Sequence, residues 1–224
     1  FCAAILSERY RVIKTEGNLN NHIGLPLTIL SASSAVEFAV WEIAMNHAGE
    51  IAPLAALARP DFGIITNIGV AHIEYLGSRE AIALEKGELA AALGPEGVLI
   101  LNAEDEFTNS IARRTRGRVV TAEHMVRNAM LACALGLENG LSLEECAAGL
   151  AGARLTGGRL EQKRIHGVRF LDDTYNANPD SVEAALATLR SIPTEGRRIA
   201  VLGRMGELGS YADEGYRRVG EAAA

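Results

Sequence analysis

Short apolar runs alternate along the chain with segments whose apolar positions recur every three to four residues. The strand-like runs are RVIKT at 11–15, AVEFAVWEI at 35–43, DFGIITNI at 61–68 and GVLILN at 97–102. Helix-like segments lie near 22–30, 49–58, 78–93 and 104–116. Nearly continuous apolar strands separated by helices predict a buried parallel sheet with helices on its faces, an α/β fold. Two successive helices are predicted over 123–150, broken at Gly136 to Gly140. LTGGRLEQKRIHGVRFLDD at 155–173 then predicts a hairpin turning at His166-Gly167. A helix over 180–190 and an apolar strand RRIAVLG at 197–203 resemble the opening of a second α/β unit. Two domains are therefore expected, 1–155 and 156–224.

The ends qualify that picture. FCAAILSERY opens in helix-forming sequence with no capping residue before it, and EGYRRVGEAAA stops in helix-forming sequence with no terminator after it. An internal piece of a longer chain is the expectation. With 48% hydrophobic residues, 22% charged residues and a net charge of -6, the chain has the composition of a folded domain. It has neither the polarity of a disordered segment nor the basic surface of a nucleic-acid binder. Cys2, Cys133 and Cys146 are three in number and show no CxxC spacing, which argues against a disulfide framework or zinc ribbon and suits a reducing cytoplasm. No apolar run approaches the roughly 20 residues that span a bilayer.

Polar residues at the ends of apolar strands are the first place to look for chemistry, because ligands of open parallel sheets gather there. Glu42 lies near the end of AVEFAVWEIA, and His72 follows DFGIITNIG. The two could share a hard divalent cation, but a spacing of 30 residues is too loose to be a metal signature by itself, and a solvated Glu with a loop-capping His is the plainer reading. In REAIALEKGELAAAL an apolar stripe of Ile82, Leu89 and Leu93 includes Lys86. A buried amine is pushed toward its neutral form, which is a nucleophile and can add carbon dioxide. The alternative is a packed stem with the ammonium in water. TEGNLNNHIG, residues 15–24, offers amides to a polar ligand or forms an Asx-rich turn. LDDTYNANPDS carries two acids and two amides ahead of a helix that Asp180 or Ser181 could cap. LGRMGELG is a glycine-rich strand-to-helix turn without GxGxxG spacing. No GxxxxGK[ST], GxSxG, HExxH or HRD motif occurs, which removes serine hydrolase, zincin and protein kinase readings.

TEGNLNNHIGLPLTIL, DFGIITNIGVAHIEYLGS, the helix with Lys86, and LDDTYNANPDSVEAAL followed by VLGRMGELG together resemble the Mur ligase family, in order over essentially the whole chain. The resemblance implies the parallel-sheet central ATPase domain without its P-loop segment, followed by the start of a Rossmann-like C-terminal domain. It implies an ATP- and Mg2+-dependent carboxylate-amine ligase of peptidoglycan synthesis working through an acyl phosphate. TEGNLNNHIG and DDTYNANPDS point within the family to UDP-MurNAc-tripeptide and D-Ala-D-Ala as substrates. By the same resemblance Glu42, His72 and a carbamylated Lys86 would hold magnesium. Asn128 would contact adenine, Arg159 the ATP phosphates, Asp173 the region of the ribose, and Asn18, Asn20 and Asn21 the UDP-sugar. A cytoplasmic monomer with no membrane span and no nucleic-acid partner is expected, inactive as this stretch alone. Met125 and Arg204 depart from the family pattern, as does EIAMNH at 42–47. A folylpolyglutamate-synthase-like ligase and a non-catalytic nucleotide- or UDP-sugar-binding module are the alternatives.

Overall fold

A computed structural model describes residues 1–122, 127–153 and 157–224. They form two compact units, one of Phe1–Ile68 with Glu80–Ala153, the other of Gly69–Arg79 with the described residues of 154–224. The expected 155/156 boundary lies outside the described residues.

In the first unit, α1 (Cys2–Leu6), β1 (Val12–Lys14), α2 (Gly24–Leu30), β2 (Phe38–Val40), α3 (Ile51–Ala58) and β3 (Phe62–Ile65) come first in the chain. The short α4 (Ile73–Leu76) belongs to the second unit. There follow α5 (Arg79–Ala92), β4 (Val98–Asn102), α6 (Thr108–Ala112), β5 (Arg118–Ala122), α7 (Arg127–Glu138) and α8 (Leu143–Gly152). Strands β1 and β2 pair in parallel, and β3, β4 and β5 form a parallel sheet in that order. The middle strand, VLILN, is buried at all five positions, as expected for a strand with neighbours on both edges and cover on both faces. Because side chains alternate, Val98 and Ile100 join Ile5, Leu131 and Leu135 on one face. On the other face Leu99, Leu89 of α5 and Leu93 just past its end gather around Gly63.

Differences from the expected pattern have physical causes. The break between α7 and α8 falls after Glu138, so Gly136 is inside a helix. A Cβ there would stand 2.7 Å from both Cys146 Sγ and Ile5 Cγ2, so this glycine serves the close approach of α1, α7 and α8 and terminates nothing. Strand β5 had no separate signal in RVVTA, whose side chains are mostly exposed.

The second unit continues with β6 (Glu161–Ile165), β7 (Val168–Asp172), α9 (Pro179–Ser191), a 3-10 turn (Gly209–Tyr211) and α10 (Ala212–Ala223). The hairpin pairs Ile165 with Val168, and both turn residues have positive φ, His166 at 49° and Gly167 at 82°. The predicted strand at 197–203 does not form. Ile199 and Val201 are 70% and 93% exposed, and among the described residues no strand pairs with this run. A strand without a neighbour has no partners for its backbone groups. Met205, Leu208 and Val219 form the core of this unit. Among the described residues no helix is long and apolar enough to cross a membrane.

Candidate functional site

Glu42 lies two residues beyond β2, exposed, at the place where a parallel sheet presents its strand ends. The loop after β1 is laced to it. The amide of Asn20 donates to Glu42 Oε1 at 2.8 Å, the Glu42 N–H donates to Thr15 Oγ1 at 2.9 Å, and the Ala44 N–H donates to the Asn20 carbonyl at 3.0 Å. Asn21 is used locally, its Oδ1 accepting the N–H groups of Ile23 and Gly24 at the start of α2. Asn18 is exposed. Thus TEGNLNNHIG is both an Asx turn, through Asn21, and a polar loop fastened to Glu42, through Asn20.

Helix α5 places Lys86. Ile82 and Leu93 are fully buried on the sheet, and Lys86, four residues after Ile82, is carried into the same face. Its ammonium donates to the Asn67 carbonyl at 2.9 Å, at the end of β3. Burial lowers the Lys86 pKa, and the carboxylate of Asp105 opposes that shift. The side chain is therefore neither free in water nor an isolated buried charge. Two acids absent from the expected set are held nearby in the fold, Asp105, whose charge acts on Lys86, and Glu85, its neighbour in the helix. Asp105 accepts the Ile68 N–H at 2.6 Å, and the buried Glu85 accepts the N–H groups of Gly49 and Ile51, both at 2.8 Å. Glu85 was legible, since it lies three residues after Ile82 on the apolar stripe; Asp105, in a loop, carried no periodic signal.

His72 belongs to the second unit. It precedes α4 with φ 64°, in the left-handed region. Its buried Nδ1 lies 2.5 Å from Glu207 Oε2, within ion-pair range but without hydrogen-bond alignment. The segment around it is tied down by the Val70 N–H donating to Asp180 Oδ2 at 3.1 Å and the Glu74 N–H donating to the Glu207 carbonyl at 3.2 Å. Asp180 is free for this because Asn178 caps α9, in a reciprocal box with Ser181 and with Pro179 at the first helical position. Arg218 binds the other oxygen of Asp180 along with Glu183 and the Tyr211 hydroxyl, and these bonds raise its pKa.

Arg159 and Asp173 flank the two strands at the base of the hairpin. Asp173 Oδ1 accepts the Leu160 N–H at 2.9 Å, and the Arg159 guanidinium lies 4.2 Å from the centre of the Tyr175 ring. The neighbouring Asp172 binds Lys163 and Thr174, which holds its carboxyl down at about 2. Asn128 is exposed in the first turn of α7. Met125 lies outside the described residues.

Among the described residues no three His, Cys, Asp or Glu side chains cluster for a metal ion. The donor chemistry nevertheless fits a hard cation: Glu42 keeps free carboxylate lone pairs, and Lys86 is a desolvated amine disposed to the neutral form that adds carbon dioxide. A carbamate would retain an N–H for the Asn67 carbonyl while supplying two oxygens.

The family model of the Mur ligase middle domain matches residues 1–132, and that of the Mur ligase glutamate ligase domain matches 158–224. A UDP-N-acetylmuramoyl-tripeptide–D-alanyl-D-alanine ligase of Bacillus subtilis (strain 168) is 37% identical over 97% of this chain and 55% of its own. A crystal structure of MurF from Acinetobacter baumannii superposes with a TM-score of 0.93 at 30% identity, over 100% of this chain and 57% of that one. MurF ligase from Thermotoga maritima in complex with ADP gives 0.90 at 25% identity, over 99% of this chain and 60% of that one. E. coli FolC in complex with DHPP and ADP shares the fold alone, with a TM-score of 0.66 at 17% identity over 88% of this chain and 63% of that one. The chain spans a little over half the length of the relatives it matches.

Proposed function

Since the chain belongs to the Mur ligase family, we propose that its parent protein joins D-Ala-D-Ala to UDP-MurNAc-tripeptide at the expense of ATP, in peptidoglycan synthesis. The observation that carries this reading is end-to-end similarity, across both units, to ligases named for that reaction. In the reaction the terminal carboxylate of the tripeptide takes the γ-phosphoryl group of ATP, releasing ADP. The dipeptide amine then attacks the acyl carbon and phosphate departs, leaving an amide and one proton.

Glu42, His72 and a carbamylated Lys86 would hold magnesium, which when bound neutralises charge on the phosphates. Asn20 fastens the substrate-side loop to Glu42. Asn18, Asn20 and Asn21 belong to the loop assigned to the UDP-sugar, whereas Asn128, Arg159 and Asp173 are assigned to the nucleotide. The Arg159 guanidinium, stacked on Tyr175, has hydrogen-bonding edges suited to phosphate oxygens. The reading places the parent protein in the cytoplasm as a monomer.

The test uses the full-length parent protein. Phosphate release from ATP should require both UDP-MurNAc-tripeptide and D-Ala-D-Ala. Release driven by a folate and glutamate would instead favour the folylpolyglutamate-type reaction, and UDP-sugar binding without turnover would reduce the protein to a binding module.

A further inference from the structure

His72 occupies a conformation that its own sequence does not favour. A non-glycine residue in the left-handed region is disfavoured and persists where its surroundings hold it. What holds it comes from the turn GELG, more than a hundred residues further along. Glu207 makes two contacts with the segment: its carbonyl accepts the Glu74 N–H, and its carboxylate faces His72 Nδ1 at 2.5 Å. Glu207 itself has φ 59°, a second left-handed residue in the same contact. Gly209, at φ 51°, lets the turn approach so closely that a Cβ there would lie 3.1 Å from Glu74. Val70, bound to Asp180, secures the other side of His72.

We propose that Glu207 is a positioning residue for His72, fixing its ring so that Nδ1 carries the proton and Nε2 presents its lone pair to the cation. The chemistry follows from the distance. An unprotonated Nδ1 would set its lone pair against those of a carboxylate oxygen 2.5 Å away, whereas a protonated one gains a charge-assisted hydrogen bond after a small rotation of either group. Among the described residues Nδ1 has no hydrogen-bond partner to compete for that proton. A histidine that binds a metal through one nitrogen typically gives the other N–H to a carboxylate, which sets both tautomer and ring angle. The Glu207 side chain is 44% exposed, so its contribution is to orientation more than to the stability of the fold. The proposal rests on the reading that His72 holds magnesium.

The test is made on the full-length parent ligase labelled with 15N-histidine, with the His72 signals identified by their loss in His72→Gln. In the metal-free protein the expected state is a protonated Nδ1. Glu207→Ala should move the proton to Nε2, and Glu207→Gln, whose amide oxygen can still accept, should restore it to Nδ1. Mn2+ in place of Mg2+ then gives a readout separate from turnover: with ADP present, Glu207→Ala should weaken Mn2+ binding about 10- to 100-fold, with Glu207→Gln close to wild type. An unchanged tautomer in Glu207→Ala overturns the proposal, and so does unchanged Mn2+ affinity in Glu207→Ala when His72→Gln weakens it. If His72→Gln itself leaves Mn2+ affinity intact, the metal role of His72 fails, and the purpose assigned to Glu207 goes with it.

Discussion

Lys86 and His72 stand fourteen residues apart in the chain, yet they are held by opposite means. Lys86 rides on a 14-residue helix buried at Ile82 and Ala90, with buried Leu93 just past its end, so its placement is set mainly by local apolar packing. His72 sits ahead of a four-residue helix with no buried residue of its own; its segment is placed by polar contacts, Glu207 facing its ring and Asp180 accepting the Val70 N–H. The first arrangement takes its rigidity from close packing, which is non-directional and tolerant of small errors. The second depends on directional bonds, each of which can be removed by one substitution. Each kind of support should fail in its own distinguishable way.

The largest effect is expected at Lys86 itself. In the full-length parent, Lys86→Ala should lower substrate-dependent phosphate release by at least about a hundredfold, with partial recovery on adding short-chain carboxylic acids. Full activity in that variant would rule out the carbamate. Burial holds the Lys86 pKa below its ordinary value, so the fold disfavours the charged amine. That penalty is present at neutral pH and is relieved only as pH rises through the lowered pKa toward the unfolded value. Lys86→Met at pH 7 should therefore leave thermal stability unchanged or raised while activity is lost, which separates the chemistry of the residue from the packing around it.

Next in size is Leu99→Ala, in the fully buried middle strand and in contact with the environment of α5. It should cost about 2–5 kcal/mol in denaturant unfolding, and amides of β4 and α5 should lose protection together, because packing support is shared. Asp180→Ala should do less, about 1–3 kcal/mol, by leaving the buried Val70 N–H without its acceptor. Its signature is local: hydrogen exchange should quicken across 69–79 while β4 is unaffected. Equal loss of protection in both places after either substitution would erase the distinction between the two kinds of support.

Much of the larger unit was legible because its elements are periodic. VLILN announced an apolar strand of a covered sheet, and the spacing of Ile82, Leu89 and Leu93 put Lys86 on the apolar stripe of its helix before any contact was known. The hairpin was equally plain from His166-Gly167. Gly136 misled, since a glycine that admits a neighbouring helix and a glycine that ends one look the same in a sequence. RRIAVLG misled for the complementary reason: a strand is a property of a pair, and its apolar pattern says nothing about whether a partner is in place.

By itself, then, the sequence determined the α/β alternation, the family, the inward lysine and the polar strand end at Glu42, because periodicity and motif are properties of neighbouring residues; His72 lies seven residues past β3, in the other unit. Tertiary structure alone decided that Asn20 binds Glu42, that Asp180 takes the Val70 N–H, and that Glu207 faces His72. Those are directional contacts between residues far apart in the chain. Their partners are chosen by where the packed elements bring the backbone, and a one-dimensional pattern carries no record of that choice.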